Sequence, residues 1–333
     1  MVPAESLDRA AQVLGEAGKV ALVCHVNPDA DAMGSMLGLA CYLSGRGTQV
    51  VASSPNRPDD LPRWVEALPG TEHLVAPGDL PKAPEVVVTL DAADVGRLDG
   101  LSHLVDRAGT VICVDHHRTN PGFGTINVID PAAAATAELV YRLIERMGGG
   151  FGADVAACLY AGLVTDTGRF QYGATSPEVL RIAADLRDQA FDHARLAQAL
   201  YADGSVPYLR LLGRVLDRVT LVPEASLVWT HLTRKDLEDG GVPIQETDDL
   251  IDTIRTAREA DVAAVIKEQR DGGWKVSLRS RGDTDVASVA EAFGGGGHRL
   301  ASGYTSKATL EETVSGLIGA LAAGVPPSGP AGS

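Results

Sequence analysis

At 333 residues the chain is longer than one hydrophobic core usually organises, so two domains are expected, each with a core of its own. Hydrophobic residues at 45% and charged residues at 22% match a soluble globular protein and exclude a disordered or membrane-spanning composition. A formal net charge of −15 disfavours a long nucleic acid laid across the surface, which needs a basic stripe to displace counterions, but leaves a small anionic substrate open because bound divalent cations can invert a local field.

The opening MVPAESLDRAAQVLGEAG is acidic and amphipathic, with no basic region leading into an apolar stretch, and no run approaches the ~18 apolar residues of a membrane span. A cytoplasmic protein without a membrane partner is expected. Cys24, Cys41, Cys113 and Cys158 lie in apolar runs without CxxC or CxxH spacing, which reads as small core residues in a reducing compartment. VALVCH, the helical stretch Met33 to Ser44 and TQVVAS then set up a βα alternation. Two further apolar runs, EVVVTLD at 85–91 and TVICVDHH at 110–117, are continuous rather than alternating, as strands buried on both faces of a parallel sheet are. Each run ends in Asp or His, and ligands of open parallel sheets bind beyond the carboxyl ends of strands, so these residues are expected to converge.

Residues 136 to about 218 read as almost wholly helical, with Gly and Ser-Pro punctuation. From 219 the pattern changes to an α+β unit: strands in LVPEASLVWTHL, ADVAAVIKEQ and the alternating WKVSLRSR, and helices near 246–257, 285–293 and 308–322. GVPPSGPAGS is too poor in apolar surface to offset its chain entropy, which predicts a disordered tail over 324–333. The fold expected is α/β: a parallel-sheet catalytic domain over 1–190, a helical linker over 191–218 and a smaller α+β substrate domain over 219–323, with the active site in the cleft between them.

Four segments carry chemistry. The loop His25-Val-Asn-Pro-Asp29-Ala-Asp31 places an imidazole and two carboxylates between a strand and a helix, where Gly34-Ser35 is expected to let an anion approach the helix start; the bland reading is loop and capping residues. Asp91 closes a buried strand, where a carboxylate is costly unless paired or bound to a metal, and Asp94 reads as a helix cap. Asp115-His116-His117 closes another strand, and Asp166 follows an otherwise apolar helix. Nitrogen and oxygen ligands without thiolate suit Mn²⁺, Mg²⁺, Co²⁺ or Zn²⁺, and six such residues exceed one tetrahedral site, so two divalent cations are expected. A pair of ions roughly 3.5–4 Å apart suits phosphate ester hydrolysis. In the second half, Arg279 and Arg281 share one strand face as a candidate phosphate clamp, with Ser280 between them. Gly296, Gly297 and His298 in GGGGH offer open backbone N–H groups and an imidazole; the bland alternative is a flexible linker.

HVNPDADAMGS, VVVTLDAAD, VICVDHHRTN and GLVTDTGRF, in this order, resemble the four motifs of the DHH phosphoesterases, and SLRSR with GGGGHRLASG resembles their accessory DHHA1 domain. Within the superfamily the chain is most similar to the oligoribonuclease and pAp-phosphatase group, including actinobacterial enzymes that act on cyclic di-AMP. The resemblance implies that His25 and Asp29 hold one ion, that Asp31, His116 and Asp166 hold the other, and that Asp91 bridges them, with Mn²⁺ the favoured metal. It implies that His117 assists at the scissile phosphate, that Asp115 orients an imidazole from behind, and that the protein is a homodimer. Arg118 and Asn120 are candidate phosphate or ribose contacts. The substrates implied are cyclic dinucleotides, very short RNA and pAp. An inorganic pyrophosphatase or polyphosphatase is the alternative, set against by GGGGHRLASG and by Lys307 being the only basic residue after Gly303. A non-catalytic cyclic-dinucleotide sensor is the reading from another class, and none of the six ligand positions is degenerate in the way it would require.

Overall fold

The computed structural model describes residues 4–323; the tail expected over 324–333 lies outside them. The chain divides into two compact units, Met1–Asp203 and Gly204–Ser333. No helix among the described residues is long and apolar enough to cross a membrane.

In the first unit, α1 (Ala4–Glu16) leads into β1 (Lys19–Cys24), α2 (Ala30–Gly45) and β2 (Gln49–Ser53). Short 3₁₀ turns over 58–79 then lead to β3 (Val86–Leu90), α3 (His103–Arg107), β4 (Thr110–Asp115) and β5 (Ile126–Ile129), and α4 (Thr136–Arg146), α5 (Ala153–Asp166), α6 (Pro177–Arg187) and α7 (His193–Tyr201) complete the unit. The five strands form a parallel sheet in the order β2-β1-β3-β4-β5. Val20, Leu22, Val86, Val88 and Leu90 face the main core with α2, α4 and α5, while Ala21, Val23 and Val87 face a second core with Leu98, Leu101 and Leu104. Both faces are apolar because both are covered, which is why the runs read as continuous hydrophobicity. β5 is only INVI and carries too little pattern to be read beforehand. Helix α5 is buried from Val155 to Val164, as a helix enclosed on all sides must be. Cys24, Cys113 and Cys158 are buried, Cys41 is half-buried, and all four are free.

The second unit begins with α8 (Val206–Asp217), so the stretch 191–218 holds two helices: Leu196 of α7 packs in the first core, Leu211 and Val215 of α8 in a core of the second. β6 (Thr220–Val222), β7 (Leu227–Leu232), α9 (Arg234–Gly240), α10 (Leu250–Ile254), β8 (Val262–Glu268), β9 (Trp274–Ser280), α11 (Val286–Glu291), β10 (Gly296–His298), β11 (Ala301–Ser306) and α12 (Leu310–Ala322) follow. The run LVPEASLVWTHL is broken into two strands because Pro223 starts a 3₁₀ turn and Ser226 takes a left-handed φ of 46°. The sheet order is β10-β11-β9-β8-β7-β6, with only β7 and β8 parallel. The glycine run is not a linker: Gly296 to His298 form an edge strand on β11.

α9 is anchored by an ion pair. Arg218 Nη1 and Nη2 donate to Asp236 Oδ2 and Oδ1 at 2.6 and 2.7 Å, and Asp236 also closes a capping box with Thr233. The Arg218 hydrogen bonds outweigh burial and hold the Asp236 carboxyl well below the usual carboxylate range. A depressed folded value means the carboxylate stabilises above the unfolded value near pH ~4 and loses that contribution as pH falls through the folded one. Replacing Asp236 with Ala is expected to cost ~2 kcal/mol at pH 7 in denaturant unfolding, with the gap to wild type narrowing below pH ~4. A gap unchanged by acid would show that charge is not the cause.

Candidate metal centre

β1, β3 and β4 are neighbours in the sheet, so the residues that follow their carboxyl ends emerge side by side: His25, Asp91, and Asp115 with His116 and His117. Asp29 and Asp31 enter at the start of α2, and Asp166 closes α5, which packs along α2. His25 Nε2 lies 3.4 Å from Asp91 Oδ2 and 3.8 Å from Asp29 Oδ2. On the other side His116 Nε2 lies 3.6 Å from Asp91 Oδ1, 3.2 Å from Asp166 Oδ2 and 3.9 Å from Asp31 Oδ2. Asp91 thus turns one oxygen to each group. His25, Asp29 and Asp91 form one set of ligand-type atoms, all within 4.8 Å of one another, and Asp31, Asp91 and His116 form a second.

Local structure fixes each side chain. Asp29 is the cap of α2, its Oδ1 accepting from the backbone N–H of Asp31 and Ala32 at 3.1 and 3.0 Å, so capping and a free Oδ2 coexist in one residue. Asp31 is fully buried and accepts from the backbone N–H of Thr136 and Ala137 at 2.6 and 2.9 Å. It therefore caps α4, whose own preceding residue, Ala135, has no side chain to do so. Asp91 sits at a left-handed φ of 57°, a conformation Asp tolerates better than most residues, and accepts from Thr136 Oγ1 at 2.9 Å. His25 Nδ1 lies 2.9 Å from the Val26 carbonyl oxygen and 3.0 Å from Arg97 Nη2. Asp94 caps the turn containing Arg97.

Asp115, fully buried, has Oδ1 2.7 Å from His117 Nδ1 and accepts from Asn120 Nδ2 on Oδ2 at 2.7 Å. Asn120 was expected at the substrate. Its amide instead donates to Asp115 and to the Ala92 carbonyl and accepts from Gly122 N–H, so it braces the loop from behind. The reading of Gly34 as an anion's approach is also corrected. A Cβ there would stand 2.3 Å from the Cys158 carbonyl oxygen, so Gly34 lets α2 and α5 pack closely, while the first amides of α2 are taken by Asp29.

The donor set fits divalent cations. Asp31, Asp91 and Asp115 are buried together, and among the described residues their ion-pair partners are imidazoles, with no lysine or arginine. Burial and the charges of Asp91 and Asp166 push the Asp31 carboxyl well above its ordinary value. Burial raises Asp166 too. Burial would also raise Asp91, but its hydrogen bond from His25 and the charges of His117 and His116 outweigh that and hold it low. Burial opposes charging of His25 and His116, yet their carboxylate partners raise both. A field that draws protons onto imidazoles at this point equally draws metal cations.

Arg118 is exposed beside the two histidines. In the second unit, Arg279 is half-buried on β9, in register with Ala301 of β11, which pairs in turn with His298 of β10. Gly297 has a φ of 141°, and a Cβ there would stand 2.6 Å from the Ala301 carbonyl oxygen, so glycine is required for the strand pairing; above Gly296 the space is open. Ser280 was expected at the substrate too. It points to the opposite face from Arg279, is buried, and lies 3.3 Å from Asp261 Oδ2 while accepting from Gly282 N–H. Arg281 donates to the carbonyls of Thr256 and Ala257, which takes it out of the proposed clamp.

Sequence reasoning missed Thr136, Arg97 and Gly162. A Cβ on Gly162 would stand 2.6 Å from Asp31 Oδ1, so this glycine makes the space that the carboxylate occupies. The four alanines before Thr136 hid it, since nothing in AAAATAEL marks a residue that reaches a strand end 45 positions away.

The model of the DHH family N-terminal domain matches residues 19–163, and that of the DHHA1 domain residues 236–322. The chain is 38% identical to a bifunctional oligoribonuclease and PAP phosphatase of Thermus thermophilus, over 87% of this chain and 85% of that relative. It is 26% identical to a cyclic-di-AMP phosphodiesterase of Geobacillus thermodenitrificans, over 86% of this chain and 44% of that longer protein. Among solved structures, an exopolyphosphatase-related protein from Bacteroides fragilis superposes with a TM-score of 0.89 at 28% identity, over 98% of each chain.

Proposed function

Because the chain belongs to the DHH family of phosphoesterases, with a DHH domain followed by a DHHA1 domain, we propose that it is a two-metal hydrolase of very short nucleotides: pApA and other oligoribonucleotides of a few residues, cyclic di-AMP, and pAp. That it is a hydrolase of nucleotide phosphate esters follows from its relatives; the particular substrates are the proposal. The observation that carries it is Asp91, shared between two sets of ligand-type residues.

His25, Asp29 and Asp91 would hold one cation, and Asp31, His116, Asp166 and Asp91 the other, Mn²⁺ being favoured and Mg²⁺ or Co²⁺ also suiting these donors. When bound, such a pair supplies Lewis acidity that neutralises phosphoryl charge and makes water a nucleophile at neutral pH. The chain's own residues do the rest. Asp115 fixes His117 through Nδ1, which leaves Nε2 to meet the leaving oxygen. Burial lowers the proton affinity of His117, but the Asp115 hydrogen bond and the Asp91 charge raise it beyond its ordinary value, as a general acid requires. Asn120 steadies Asp115 in turn, and the amides of α4 hold Asp31 against rotation. Arg118, Arg279, Gly296, Gly297 and His298 supply substrate contacts. The working protein is a cytoplasmic homodimer.

Product analysis tests this. With Mn²⁺, the purified chain is expected to release AMP from pApA, cyclic di-AMP and pAp. The name of the Bacteroides relative makes polyphosphate the second substrate class to include. Turnover of polyphosphate or pyrophosphate alone would overturn the nucleotide reading, and nucleotide binding without product would leave a sensor.

A further inference from the structure

β1 and β2 run parallel with Val23 beside Ser53, so the loop that follows β1 travels beside the one that follows β2. Asn27 and Asn56 meet there. The Asn27 backbone N–H donates to Asn56 Oδ1 at 2.6 Å, and Asn56 Nδ2 donates back to Asn27 Oδ1 at 3.0 Å. Asn56 is steadied in turn from the end of β2, where the buried Ser54 hydroxyl donates to its carbonyl oxygen at 3.3 Å.

Asn27 needs such a hold. Its φ of 52° is left-handed, although Pro28 follows it and the residue before a proline is driven toward extended backbone. This turn is what brings His25 and Asp29 together, with Nε2 and Oδ2 3.8 Å apart across it. The two ends of the turn are anchored independently: His25 closes β1 and meets the Val26 carbonyl and Arg97, and Asp29 caps α2. The middle depends on Asn56, which among the described residues receives or supplies both hydrogen bonds of Asn27. Asp31, by contrast, takes its position from the amides of α4.

Resting on the two-metal reading of this centre, we propose that Asn56 is a positioning residue for one cation only. It holds the left-handed turn at Asn27 that sets His25 against Asp29, and it leaves the set built on Asp31, His116 and Asp166 untouched. Without it the turn relaxes toward the extended backbone that Pro28 favours, which parts the two ligand-type atoms.

The test measures Mn²⁺ binding to the purified chain without substrate, by isothermal titration and by the EPR signal of free Mn²⁺. Wild type is expected to bind two ions, and Asp29→Asn and Asp166→Asn identify the binding step that belongs to each set. Asn56→Ala is expected to weaken the Asp29 step about tenfold and to leave the Asp166 step within about threefold. Asn27→Gly adopts a left-handed φ at no steric cost and keeps the backbone N–H for Asn56, so it should hold the Asp29 step within about threefold, while Asn27→Ala should weaken it as Asn56→Ala does. Equal losses at the two steps, no loss at either, or an Asn27→Gly variant as weak as Asn56→Ala would overturn the clamp while leaving the two-metal reading intact. Wild type binding fewer than two ions would remove that reading and the clamp with it.

Discussion

Replacing Asp91 with Asn is expected to lower turnover of every substrate by roughly 10³–10⁵-fold, the loss of several kcal/mol of transition-state stabilisation that a shared ligand supports. Asn is the informative replacement because it tolerates the φ of 57° at this position and keeps the side chain's size, so charge is what changes. The metal-free protein should lose some stability as well: relief of the burdened Asp31 carboxylate is set against the loss of a charge that His25, His116 and His117 answer, and whose carboxyl they hold below its ordinary value. The measurement pairs kcat/KM at saturating Mn²⁺ with a metal-free melting curve. Turnover within tenfold of wild type would show that Asp91 bridges nothing.

Gly162→Ala is expected to raise the Mn²⁺ concentration needed for half-maximal activity by about 10–100-fold, although residue 162 carries no chemistry. The added methyl would stand 2.6 Å from Asp31 Oδ1, 2.9 Å from Ala137 Cβ and 3.1 Å from Asp31 Cα, and none of these can yield without moving the carboxylate or the start of α4. A stability loss of ~1–3 kcal/mol should accompany it. Gly38→Ala is the control, since its methyl meets the Leu159 and Cys158 side chains on the same pair of helices, seven residues along α2 from Asp31. That variant should lose stability while keeping its metal requirement. If both variants need the same metal concentration as wild type, Asp31 is not a ligand.

The individual candidates were legible because each breaks a local pattern. Asp91 and Asp115 end apolar runs that become β3 and β4, Asp166 ends an apolar helix, and His25 opens an Asp-rich loop after β1. An uncompensated charge in such a place is costly, so its presence points to a partner before any partner is visible. The parallel arrangement was legible for the same kind of reason: strands covered on both faces leave no polar alternation.

What the linear pattern carried, then, was the type of the longer elements, the division into an α/β half and an α+β half, and the residues whose side chains have ligand chemistry, all properties of nearest neighbours along the chain. Only the tertiary structure decided what those residues meet. The β1-β3-β4 order put Asp91 between His25 and His116; the approach of α4 and α5 gave Asp31 its amides and made Gly162 obligatory; Asn120 and Ser280 turned inward to Asp115 and Asp261. The glycine run became an edge strand because β11, five residues after its first strand position, offered it a partner. Contacts between residues distant in sequence depend on packing, and packing leaves no local trace in the residues that will come together.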